Sequence, residues 1–83
     1  MRLAEFLRLK TTEQVQLLYK NAVYSGKRRE RTTIIVLYQL DGFYVEIFYL
    51  KYRWHIRHLH AFESVDLLEP YLPFVDLEEL IND

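Results

Sequence analysis

The stretch Thr32-Thr33-Ile34-Ile35-Val36-Leu37-Tyr38-Gln39-Leu40-Asp41-Gly42-Phe43-Tyr44-Val45-Glu46-Ile47-Phe48-Tyr49-Leu50-Lys51 decides the fold. Its first half is rich in β-branched and aromatic residues, which suit a pleated surface. Asp41-Gly42 interrupts it as a two-residue hairpin turn, whose central positions call for positive φ. Such a turn fixes the register, so the numbers of paired residues sum to 83. One face then carries Leu40/Phe43, Tyr38/Val45, Val36/Ile47 and Ile34/Tyr49, all apolar or aromatic. The other carries Gln39/Tyr44, Leu37/Glu46, Ile35/Phe48 and Thr33/Leu50. This second face is too apolar to be fully wet, so helices must reach both sides of the sheet or another chain must cover one of them.

Outward from the hairpin, two more strands are expected. Residues 22–28 alternate weakly and run into Lys27-Arg28-Arg29-Glu30-Arg31. Residues 54–62 follow a tight turn at Tyr52-Arg53. Their register has two solutions. A two-residue turn points Trp54, Ile56, His58, His60 and Phe62 at the core, whereas a bulge or a one-residue shift puts Leu59 and Ala61 there. With strands over about 22–28, 32–40, 43–51 and 54–62, the sheet reads as a four-stranded antiparallel meander.

Before the sheet, Leu3, Phe6 and Leu7 recur at helical spacing. Thr11 and Gln14 have the spacing of a capping box, opening a second helix near Thr12. Val15, Leu18, Tyr19 and Ala22 would form its inner stripe, with Glu13, Gln14, Gln16, Lys20 and Asn21 in water. After the sheet, Ser64 can cap a short helix holding Val65, Leu68, Tyr71 and Leu72, with Pro70 in or near its first turn and Pro73 ending it. Asp76 can cap a last turn with Leu77, Leu80 and Ile81 inward. The class is α+β, two-layered, with residues 1–83 as a single domain.

Composition narrows the chemistry. There is no cysteine, which excludes disulfides, thiolate zinc sites and cysteine nucleophiles. Two glycines, Gly26 and Gly42, are too few for a phosphate-cradling loop. Ser25 and Ser64 lie in no nucleophile elbow. Glu46 is the one acid inside a strong strand, and its plain reading is a solvated residue or the partner of a neighbouring arginine. No catalytic residue and no cofactor is therefore expected, and the chain reads as non-enzymatic. The net charge of −1 hides a division: +2 over residues 1–21, +4 over 22–62 and −7 over 63–83. The N-terminal stretch lacks the apolar run of a secretory signal, and the longest apolar run, Ile34–Tyr38, is far short of the roughly 20 residues that cross a bilayer. A cytoplasmic protein without membrane contact is the expectation.

Three surfaces could carry function. His58 and His60 share a strand face and are the candidates for a metal site, with Glu46 or Glu63 as a carboxylate and His55 pointing away. Tyr44 and Phe48, with Arg53 and Arg57 on the next strand, are the candidates for partner binding. Aromatic and basic groups side by side on a sheet can stack bases and hold phosphates of single-stranded nucleic acid. Apolar area with mixed charge instead suits a protein contact. Protein contact is the preferred reading, including self-association into a homodimer through the second face or an edge strand.

The run Val36–Ile47 (VLYQLDGFYVEI), with Ala61-Phe62, Leu68-Glu69-Pro70-Tyr71-Leu72 and the opening Leu-Ala-Glu-Phe-Leu, resembles a group of short uncharacterised bacterial proteins from Bacteroidetes. The resemblance implies a small stand-alone cytosolic domain. It transfers no functional residue.

Overall fold

The computed structural model describes residues 1–50 and 55–71. Two helices, α1 (Leu3–Leu7) and α2 (Thr11–Asn21), precede four strands: β1 (Val23–Glu30), β2 (Thr33–Leu40), β3 (Phe43–Leu50) and β4 (His55–Phe62). A 3-10 turn, η1 (Val65–Tyr71), follows. The strands form one antiparallel sheet in the order β1-β2-β3-β4, the expected meander. The turn at Tyr52-Arg53 and the helical turn at residues 76–81 lie outside the described residues. No helix among the described residues is long and apolar enough to cross a membrane.

The β2–β3 register runs from Leu40↔Phe43 to Thr33↔Leu50, as the two-residue turn requires. The turn itself differs from expectation. Asp41 carries positive φ, 51°, and Gly42 does not. Both primed turn types need a positive φ at the first central position, and a short polar side chain tolerates it. Asp41 meets that requirement, so the turn does not draw on glycine's freedom at position 42. The Asp41 carboxylate also accepts a hydrogen bond from the N-terminal ammonium. The preceding turn, Arg31-Thr32, puts Arg31 at φ 52°.

The core lies on the first face. Ile34, Val36, Leu40, Phe43, Val45, Ile47 and Tyr49 are buried there against Phe6 and Leu18. The helices cover this face much as their spacing predicts, with corrections. Leu7 and Tyr19 were expected inward but are largely exposed, and Leu9 and Leu17 pack in their place. Five residues give α1 barely more than one turn, so only Phe6 is buried. The start of α2 is displaced by one residue from the expected capping box, with Lys10 at the N-cap. The backbone N–H of Lys10 donates to Glu13 Oε1 at 3.0 Å, so Glu13 holds the role read for Gln14, while Lys10, whose side chain has no acceptor, supplies no counterpart to the Thr11 hydroxyl. Gln14, expected in water, is half-buried and donates from Nε2 to the Phe6 carbonyl at 2.9 Å, tying α2 to the end of α1.

The outer strands each carry an irregularity. β1 runs on through Lys27-Arg28-Arg29 to Glu30, past the expected stop at residue 28, with a shift between Tyr24 and Gly26 that leaves Ser25 extra. β4 has a shift opposite Phe48/Tyr49 that leaves Arg57 extra. The bulged solution for the fourth strand is therefore the observed one. Ile56, Leu59 and Ala61 pack on the first-face core, and His58, His60 and Phe62 lie on the second face. The bulge also corrects His55, which pairs with Leu50 and so shares the second face with the other histidines.

The second face is covered at its centre by the chain's own C-terminal turn. Tyr71 is 1% exposed and packs with Ile35, Leu37 and Phe62, while Tyr44, Phe48 and Leu68 border the cluster. A Cβ on Gly26 would sit 3.5 Å from Tyr71 Cδ1, so the strand passes close beneath the ring. Pro70 is the sixth of seven residues in η1, not in its first turn. An α-helix there would drive its ring against the carbonyl four residues back, which accounts for the tighter 3-10 winding.

Candidate functional site

β1 brings Arg28, β3 brings Glu46, β4 brings His60 and η1 brings Tyr71 to one point on the second face. Glu46 is only 5% exposed, and a buried carboxylate is costly unless it is fully bonded. Tyr71 Oη donates to its Oε2 at 2.6 Å, and Arg28 Nη2 donates to the same oxygen at 3.2 Å. His60 Nδ1 lies 2.9 Å from Oε1. A carboxylate only accepts, so Nδ1 carries the proton in this contact. Arg28 also pairs with Glu30 and holds its Cζ 5.3 Å from the centre of the Tyr71 ring.

Burial alone would raise the Glu46 pKa. Hydrogen bonds from Tyr71, His60 and Arg28 more than offset this and leave it below the usual carboxylate value. Burial, reinforced by the hydrogen bond to Glu46, pushes the Tyr71 phenol well above its ordinary value. Burial works against the Arg28 cation, but its bonds to Glu30, Tyr71 and Glu46 raise its pKa. The unit is a charged anchor whose close donors all come from its own chain. It joins β1, β3, β4 and η1.

The expected site residues separate around this anchor. Phe48 stacks on His58, with ring centres 4.1 Å apart and planes 17° apart. Tyr44 stacks on Phe62 at 5.6 Å, and His60 tilts against the same Phe62 ring at 5.3 Å. Tyr44 and Phe48 are thus half-buried and already engaged on one side. Arg57 is the exposed extra residue of the β4 bulge, and Arg53 lies outside the described residues. For the metal reading, His58 and His60 do share a face, but His60 is committed to Glu46. Among the described residues no three histidine or carboxylate side chains come together as a ligand set.

Sequence reasoning anticipated an arginine partner for Glu46 but not Arg28, and it missed Tyr71 as a second partner. Gly26, between the bulged Ser25 and the basic run, was the available clue: a small residue in a strand marks a place where something approaches closely.

Fold and site together define a class: a small α+β domain on an antiparallel meander, with a buried carboxylate clamping its C-terminal turn to the second face. No protein-family model, curated protein or solved structure matches the chain. The functional reading therefore rests on geometry.

Proposed function

We propose that the chain is a non-enzymatic interaction module that self-associates through the outer edge of β4. The observation that carries this reading is the contrast between the two edge strands. Among the described residues nothing pairs with the outer side of either. An open edge offers a row of backbone donors and acceptors to another strand, and charge is the usual protection. β1 carries Lys27, Arg28, Arg29 and Glu30, whereas β4 has Arg57 as its one formal charge over eight residues when its histidines are neutral. Antiparallel pairing of β4 with β4 of a second copy would extend the sheet and bring two sets of the Phe48/His58 and Tyr44/Phe62 stacks side by side. The carboxylate clamp fits a structural role, since its oxygens are occupied by donors of the chain itself.

Light scattering after size exclusion tests the reading. The wild type should run as a dimer at high micromolar concentration and neutral pH. His55→Lys and His58→Lys each add a charge to the β4 edge and should shift the population toward monomer, with unchanged circular dichroism. A wild-type monomer at every concentration would overturn the proposal, as would a dimer indifferent to both substitutions.

A further inference from the structure

A second aromatic surface lies on the first face at the opposite edge of the sheet, and the reading of the central hairpin did not absorb it. Tyr19 on α2 and Tyr24 on β1 are each 58% exposed. Both approach the half-buried Tyr38 edge-on, at ring-centre distances of 6.4 and 6.3 Å and angles of 61° and 83°. A hydrogen bond of 2.7 Å between the hydroxyls of Tyr19 and Tyr49 holds the Tyr19 ring in place. The two outer rings are thus buttressed while each keeps much of its surface in solvent. Register places cations beside them. Tyr24 pairs with Tyr38, Lys27 with Val36 and Arg29 with Ile34, so Lys27 and Arg29 stand on the Tyr24 side of β1. Both are exposed.

On the helices of the first face, Glu5 and Glu13 are engaged as acceptors for the backbone N–H groups of Arg2 and Lys10 at the starts of α1 and α2, and the acids of β1 and of the η1 segment lie on the other face. Glu30 shares the second face with Arg28 and is paired to it. Glu63, Asp66 and Glu69 lie on or beside η1, which packs on the second face through Tyr71. Along β1 the charges divide by face, with Lys27 and Arg29 on the first and the Arg28–Glu30 pair on the second. A protein partner could use the rings, but two fixed rings beside the cations of β1, with the one acid of that strand turned to the other face and paired to Arg28, match an anionic strand that carries flat bases.

We infer that Tyr19, Tyr24, Lys27 and Arg29 form a binding surface for single-stranded nucleic acid. The rings stack bases, and the cations neutralise phosphates. Such stacking tolerates sequence, because every base has a flat face. Phosphate contacts make affinity fall with salt. The surface is independent of the β4 edge, so either proposal can fail without the other.

Fluorescence anisotropy with a labelled oligothymidine and the full chain tests the inference. Binding is expected in low-salt buffer, weakening steeply as salt rises. Tyr24→Ala should weaken it by roughly tenfold, the usual scale for loss of one stacked base. Lys27→Gln with Arg29→Gln should weaken it further and flatten the salt dependence. His55→Lys, on the far edge, should leave the Tyr24 effect intact. Absence of binding at low salt would overturn the inference. So would binding indifferent to Tyr24→Ala, or a duplex of the same length bound as tightly as the single strand, because either result leaves charge alone as the cause.

Discussion

Glu46 shows most clearly what one residue does here. It accepts from Tyr71, Arg28 and His60 inside a nearly closed site. Glu46→Ala would strand the Arg28 cation and the Tyr71 hydroxyl, and should cost about 3 kcal/mol or more in chemical denaturation. Tyr71→Phe keeps the ring and removes one charge-assisted bond, so a smaller loss of roughly 1.5–3 kcal/mol is expected. The acid side carries a signature. A carboxylate whose pKa is lowered by folding contributes stability above its unfolded value, near 4.5, and loses it as pH falls through the lower folded value. Glu46→Gln should therefore flatten the decline of the melting temperature below about pH 4.5, whereas an unchanged acid slope would mean that Glu46 is not the linked group. The two glycines test the backbone reading. Neither has positive φ, and neither leaves an added Cβ closer than ordinary contact. Gly42→Ala should therefore be neutral or stabilising by up to about 1 kcal/mol in thermal melts. A clear loss would mean that the turn needs left-handed backbone at position 42 after all.

At the scale of elements, the legible and the hidden divide on physical grounds. The β2–β3 register could be read because a two-residue turn and a period of two leave one solution, and all eight predicted pairs are present. The burial of Ile35 and Leu37 followed from the apolar second face, although what covers it did not. The covering contact joins Glu46 to Tyr71 across 25 positions, and no local spacing encodes it. The Arg57 bulge was one of two readings, because an extra residue in a strand has little signature in composition. Displacement of the α2 cap from Thr11 to Lys10 reflects a competition in which the Glu13 side chain, not that of Gln14, reaches back to the backbone. The helices can be tested by contrast. Leu18 is fully buried and anchors α2, so Leu18→Ala should cost roughly 2–5 kcal/mol in denaturant unfolding. Leu7, 59% exposed at the same kind of helical position, should cost no more than about 0.5 kcal/mol when replaced by Ala.

At the scale of the molecule, the sheet separates its surfaces. The first face holds the main core under α1 and α2, with the tyrosine surface at its β1 side. The second face holds the clamp and η1, bordered by the stacked pairs along β3 and β4. The two edge strands differ in charge among the described residues, with a basic run in β1 and Arg57 alone in β4 when its histidines are neutral. The tyrosine surface was not legible in the sequence, because Tyr19 comes from α2 and Tyr24 and Tyr38 from two strands, and only the packed fold brings their rings together. The central claim, self-association through β4, is tested most directly by backbone amide hydrogen exchange at low and high protein concentration. The account predicts that amides of β4 on its outer side become more protected as concentration rises, while those on the outer side of β1 do not change. Exchange in β4 that is independent of concentration, or protection that grows in β1 instead, would contradict it.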